Sequence, residues 1–291
     1  DFRSIVKTGR THLMDAMPIT FEKEMSGWAA QIGLSIERIQ DTLPRLSELP
    51  IGGTAVGTGV TTHPEFGPRV SKALSELTAI EFRVARNRFQ AQSTQDTITE
   101  LSGHLKTSAT SIMKIVNDMR WMNSGPVTGL SEITIPSLQP GSSIMPGKVN
   151  PVILEAMRMV CAQVIGNDAV ISISNSMGDF QLNVMLPVIA HNIIQSITIL
   201  SNVSVLMSKK VIDGLEVNEK HISELIGRNP IMATVLNPIL GYDKTAEVVK
   251  KAIKEKKSIK KVVVEMGYLS QEEAKKILDP KMMTKPGFPT R

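Results

Sequence analysis

Residues 182–207 read LNVMLPVIAHNIIQSITILSNVSVLM, a stretch that is apolar on nearly every side of a helical wheel. A helix of this kind must be enclosed by others, and in a soluble protein it often lies at the centre of an oligomer. Pro187, His191, Asn192, Gln195 and Asn202 interrupt it, so it does not read as a membrane span. Working outward, the same helical period recurs. Phe21, Met25, Trp28, Ile32, Ile36, Ile39, Leu43 and Leu46 step by three or four, which predicts one long helix bent near Pro44. Ile98, Leu101, Leu105, Ser108, Ile112, Ile115, Met119 and Met122 predict a second. Leu154, Met157, Val160 and Val164 predict a third, after Pro151. The expected class is all-α, a bundle of long helices.

The composition agrees. Of 291 residues, 42% are hydrophobic and 21% charged, which excludes a disordered tail and a fibrous repeat. Aromatics are 4% against 16 methionines, a balance that favours packed helices over strands. The single cysteine, Cys161, forbids an internal disulfide and fits a reducing, cytoplasmic compartment. No secretory signal opens the chain, and its first residue is Asp1, which suggests a processed or truncated N-terminus. The net charge of +5 is mild and suits an anionic small molecule. Much of the basic excess is local: Lys250, Lys251, Lys254, Lys256, Lys257, Lys260 and Lys261. No aromatic interleaves them, and Ala246, Val249, Ile253 and Ile259 mark an opposite face. The stretch reads as a solvated helix side, and neither nucleic acid nor membrane is expected as a partner.

Three segments lack helical periodicity: 8–20, 52–64 and 125–150. Beyond Gly214 the helical segments shorten, broken by Asn229-Pro230, Asn237-Pro238 and Gly241. The division expected is 1–216, a central helical bundle carrying the active-site loops, and 217–291, a small helical C-terminal domain.

The richest chemistry lies in Gly141-Ser142-Ser143-Ile144-Met145-Pro146-Gly147-Lys148-Val149-Asn150-Pro151. Asn150 as N-cap and Pro151 at the first helical position predict a helix start. The positive end of that helix, with Lys148 beside it, makes a natural carboxylate or phosphate site. In that field a serine alkoxide surrounded by amide donors could act as a base. The alternative is a flexible interhelical loop with a good cap. His12, within Thr8-Gly9-Arg10-Thr11-His12-Leu13, can shuttle protons near neutral pH or be merely exposed. Glu155, one turn into the helix, needs a partner such as a His, unless it is only a favourable first-turn acid. Gly52-Gly53-Thr54-Ala55-Val56-Gly57-Thr58-Gly59 follows a helical pattern and lacks Gly-Lys-Ser/Thr, against a nucleotide loop. His63, His104, His191 and His221 lack metal-ligand spacing, and Cys161 among apolar neighbours suggests core packing, so no metal or other cofactor is expected.

The eleven-residue serine loop resembles the signature of the fumarase/aspartase superfamily. Gly9-Arg10-Thr11-His12-Leu13, the segment 52–59, Met113-Lys114-Ile115-Val116-Asn117-Asp118 and Gly241-Tyr242-Asp243-Lys244 are similar to the class II fumarase family. Thr11-His12 favours fumarase over aspartate ammonia-lyase, which typically carries Gln at the His position. The resemblance implies a homotetramer with a central core of long helices and active sites shared between subunits. It implies no metal, a small dicarboxylate substrate, and reversible anti addition of water to fumarate giving (S)-malate. By carry-over, Ser142 is the base at C3, and Lys148 and Asn150 bind carboxylate. Thr11, Ser143 and Val149 also contact the ligand, and His12 paired with Glu155 activates the water at C2. Thr61 stands where the family usually has Asn, and Asp179 and Gln181 replace its usual Asn and Glu. The family's N-terminal domain, with further substrate contacts, has no counterpart here, so a non-catalytic helical core is a second expectation beside the ammonia-lyase.

Overall fold

The computed structural model, which describes residues 2–287, is built mainly of α-helices, as the apolar periodicity predicts. A hairpin of β1 (Val6–Thr11) and β2 (Met14–Thr20) leads into α1 (Phe21–Gln40) and the short α2 (Leu43–Leu46). Next come β3 (Glu48–Leu49), α3 (Phe66–Thr78), β4 (Arg83–Val84), α4 (Arg88–Ser93) and the long α5 (Asp96–Met122). Then follow β5 (Ile133–Thr134), α6 (Val152–Asn175), β6 (Gly178–Asp179), β7 (Leu182–Asn183) and α7 (Leu186–Lys210). The C-terminal part holds β8 (Glu216–Val217), α8 (Glu219–Arg228), α9 (Asn237–Leu240), α10 (Tyr242–Glu255), α11 (Ile259–Glu265) and α12 (Gln271–Ile277).

Prolines correct two expected boundaries. The helix from Phe21 is not bent near Pro44 but ends at Gln40, and α2 begins afresh at Leu43. A helix continued through Pro44 would lose a hydrogen bond and drive the ring against the carbonyl of Gln40, whereas a first turn accepts proline freely. Pro187 likewise sits in the first turn of α7, so residues 182–183 fall in a strand instead of the helix. The third correction is at residues 8–20, where the structure has a β-hairpin in place of a loop.

Contacts group the chain into two units, one of residues up to Ala29, Met122–Thr134 and from Leu215 onward, the other of Ala30–Trp121 and Ile135–Gly214. In the second unit α6 and α7 pack together. Leu154, Met157 and Val164 on α6 and Ile189, Leu200 and Val203 on α7 are buried. A polar layer crosses this apolar pair: Asn167 donates to Gln195 Oε1 at 2.9 Å and Ser196 Oγ at 3.0 Å, and accepts from Gln163. Asp168, also on α6, is held by Ser102 Oγ at 2.8 Å and Lys106 Nζ at 2.6 Å from α5. Buried polar groups survive in such a helix pair only because each has these partners.

Both helices are long and apolar enough by composition to cross a membrane, with mean hydropathy 1.2 for Val152–Asn175 and 1.3 for Leu186–Gly214. One third of each of those windows is buried within the chain. Met159 (70% exposed), Ile173 (60%) and Ile194 (62%) are left outside.

In the first unit the C-terminal helices enclose Leu236, Val248, Val262, Val263, Ile277 and Leu278. Val248 and Ala252 are the inward residues of α10, while Ile253, expected on that side, is 61% exposed. Lys250, Lys254, Lys256, Lys260 and Lys261 are exposed, and Lys257 pairs with Glu255 and Glu265 at 2.8 Å each. A Ser270–Glu273 capping box starts α12.

Cys161 is fully buried on α6, and that burial pushes its thiol up to about 11. A raised value means the thiolate forms only as pH rises toward that figure. A disulfide exchange reagent at pH 8 should therefore leave Cys161 unmodified in the folded protein and react with it rapidly in guanidinium, as read by absorbance or intact mass.

Candidate active site

The serine loop closes on itself at its base. The N–H of Gly141 donates to the carbonyl of Lys148 at 2.9 Å, and Asn150 Nδ2 donates to the carbonyl of Gly141 at 2.8 Å. A Cβ on residue 141 would collide with the carbonyl oxygen of Lys148, so only glycine permits this closure. Within the loop, Ser142 Oγ accepts from the N–H of Ile144 at 3.1 Å and of Met145 at 3.0 Å. Two amide dipoles thus point at the one hydroxyl oxygen, the arrangement that stabilises negative charge on it. Ser142 is half-buried, whereas Ser143, Lys148 and Val149 are exposed.

Asn150 is not the side-chain cap that its position suggests. The helix begins at Val152 with Pro151 in the capping place, and no side chain caps it. The Asn150 amide is committed instead to Gly141, which draws the two ends of the loop together at the helix mouth. Its carbonyl accepts from the N–H of Val152 at 2.9 Å. Glu155 is a half-buried acid in the first turn of α6. The positive helix end therefore begins two residues beyond the Asn150 that closes the loop.

Thr11 and His12 belong to the first unit, at the tip of the β1–β2 hairpin. Thr11 pairs with Met14, leaving His12 and Leu13 as a two-residue turn with φ of 54° and 60°. Such turns require positive φ at both central residues and favour Asn-Gly; a His-Leu pair there carries backbone strain. Strain of this kind is retained where the surroundings over-determine it, and it leaves the His12 side chain exposed at the tip. Lower down, Ala16 and Met17 of β2 stand opposite Gly9 alone, a bulge that bends the hairpin. A Cβ on Gly9 would lie 2.6 Å from the carbonyl oxygen of Met17.

Beneath this hairpin is a buried charge cluster. Glu132, 1% exposed, lies 2.7 Å from both Lys7 Nζ and Arg10 Nη2. Lys7, 2% exposed, also meets Glu24 at 2.8 Å and sits over the Phe21 ring at 5.3 Å. The backbone of Glu132 is held too, its N–H by Met122 and its carbonyl by Asn218. Glu132, Lys7 and Asn229 are buried polar residues with partners in or against the hairpin, and motif reading passed them over. The available signal was two cations, Lys7 and Arg10, close together on one short strand and in need of a carboxylate once buried; only folding identifies which one. Among the described residues no group of three or more His, Cys, Asp and Glu could hold a metal ion.

A family model described as lyase matches residues 1–166, a second described as the fumarase C C-terminus matches residues 232–285, and the chain belongs to this family. It is 52% identical over 285 residues to a class II fumarate hydratase of Xylella fastidiosa, covering 98% of this chain and 60% of the relative. To the Thermus thermophilus class II fumarate hydratase it is 48% identical, covering 98% of this chain and 61% of that one. Among solved structures, a class II fumarase from Schistosoma mansoni matches with a TM-score of 0.92 and 36% identity over 97% of this chain and 62% of its own. A fumarate lyase:delta crystallin from Brucella melitensis matches with a TM-score of 0.93 and 35% identity, over 98% of this chain and 62% of its own. The chain spans about 60% of the length of these curated relatives.

Removing the Glu132 carboxylate would leave Lys7 and Arg10 without their shared counter-charge. Glu132→Ala should cost about 3–5 kcal/mol, the range for breaking a buried ion pair on one side. Urea unfolding followed by far-UV circular dichroism measures it.

Proposed function

We propose that this chain is the larger part of a class II fumarate hydratase that interconverts fumarate and (S)-malate by anti addition and elimination of water. The observation that carries the reading is the pair of N–H groups aimed at Ser142 Oγ, at 3.1 and 3.0 Å, beside the positive end of α6. In the dehydration direction, Ser142 Oγ as alkoxide takes a proton from C3 of malate. The electron pair left on C3 spreads into the adjoining carboxylate, whose growing charge falls to Lys148, the helix end and the second Nδ2 hydrogen of Asn150. Ser143, Thr11 and the Val149 segment hold the rest of the dicarboxylate. His12, paired with Glu155 in the assembled protein, protonates the C2 hydroxyl as it leaves as water, and in hydration removes a proton from the attacking water. We also place the enzyme in the cytoplasm, in keeping with its one unpaired, buried thiol.

The assembly is read from α6 and α7. Ile194 and Ile197 on α7 and Met159 and Ile173 on α6 are exposed apolar residues on the helices that form the heart of the second unit. Further copies of the chain covering them, four in all, account for the exposure. Static light scattering at micromolar concentration should give four times the protomer mass; a monodisperse monomer would sink the assembly.

Exchange kinetics on malate separate the two bases. In the full-length protein Ser142→Ala should lower turnover by about 10²–10⁴ while substrate affinity changes far less, since the carboxylate contacts remain. His12→Asn should also lower turnover yet keep part of the exchange of the C3 hydrogen with solvent. Near-normal exchange in Ser142→Ala with none in His12→Asn would reverse the assignment. Ammonia addition to fumarate without water addition would make the enzyme an aspartate ammonia-lyase, the reading that His12 argues against.

A further inference from the structure

Asn229 sits where α8 gives way to the 3-10 turn of Pro230–Leu236, is 3% exposed, and uses its whole side chain. Its Oδ1 accepts from the N–H of Ile231 at 2.9 Å, an ordinary capping bond. Its Nδ2 does something unrelated to that cap: it donates to the carbonyl of Ala16 at 2.9 Å and lies 3.4 Å from Thr8 Oγ1. Thr8 precedes Gly9 on β1, and Ala16 is one of the two residues of β2 that bulge opposite it. A bulge takes a residue out of the ladder and leaves backbone groups to be satisfied elsewhere. Here a single amide from the C-terminal part of the chain meets that need and ties both strands at the point where the hairpin bends.

We propose that Asn229 is a positioning residue for the His12 turn, so that the C-terminal segment sets where the imidazole stands. The proposal rests on the hydratase reading for its kinetic consequence. The turn at His12 and Leu13 is strained and exposed, so little at the tip itself holds it. The bulge is the nearest bend below the tip, and slack there displaces the tip. Displacement of a catalytic group by about 1 Å can lower a rate by about 10²-fold. The loss should be selective, because the proton at C3 belongs to Ser142, which lies on a different element.

The test compares Asn229→Asp, which keeps an acceptor for Ile231 and loses both donors, with Gly9→Ala, which crowds the bulge from the opposite strand without touching Asn229. Amide deuterium uptake over residues 11–17 should rise in both variants, independently of any activity. In the full-length protein, exchange of the C2 oxygen of malate with labelled water should fall by about tenfold to a hundredfold, while C3 hydrogen exchange stays within about twofold of the parent. Unchanged deuterium uptake in the two variants would overturn the proposal, and so would an equal fall of both exchanges, which is the mark of a merely structural residue. Should Asn229→Asp fail to fold, Asn229→Ser, which keeps an oxygen for the Ile231 N–H but loses the Nδ2 donors to Ala16 and Thr8, takes its place. If the unmutated full-length protein does not hydrate fumarate, the hydratase reading fails, and the deuterium comparison still decides whether Asn229 holds the turn.

Discussion

Glu132 is a carboxylate almost without solvent, and the charges gathered to offset its desolvation organise the first unit of the chain. Lys7 and Arg10 reach it from β1, and Lys7 in turn takes Glu24 from α1. Four charges of two signs therefore join the hairpin, the first helix and the segment after α5 at one point. Burying ions is costly, and replacing such a cluster with apolar residues is often neutral or stabilising, so its value is better sought in geometry than in stability. What it anchors is β1, which ends at Thr11 and leads directly into the His12 turn.

The two halves of the proposed machinery are held by different physics. The serine loop is shaped by its own backbone: Gly141 closes on Lys148, Asn150 ties the closure, and Ser142 collects two amides from the next residues. Such a loop is nearly self-sufficient, because every bond that defines it spans fewer than a dozen residues. The histidine turn has no such local support. Beneath its positive φ angles at non-glycine residues lie the bulge, the Asn229 hydrogen bond to Ala16 and the ion cluster. Strain concentrated on a residue that must be presented accurately is a common bargain at functional sites.

The long helices were legible because period and punctuation are local. The steps of three and four from Ile98 to Met122 match α5 closely, and the run after Pro151 matches α6. At Pro44 and Pro187 the apolar spacing continues through a proline that the backbone uses to start a new helix, because a first turn needs no N–H there. The hairpin at residues 6–20 escaped a reading by period since its turn is His-Leu, not the glycine-rich pair that marks such turns. Asn150 looked like a cap because spacing cannot tell which of two nearby acceptors an amide will choose.

By itself, then, the sequence determined the helical class and the start of a long helix just after the serine loop. Each of these depends on backbone chemistry within a few residues, where side-chain type constrains geometry directly. Only the tertiary structure decided that Glu132 answers Arg10 across 122 positions and that Asn229 answers Ala16 across 213. Those choices are made by desolvation: once the core excludes water, each buried cation and carbonyl must find a partner, and which partner is in reach depends on the fold, not on the spacing along the chain.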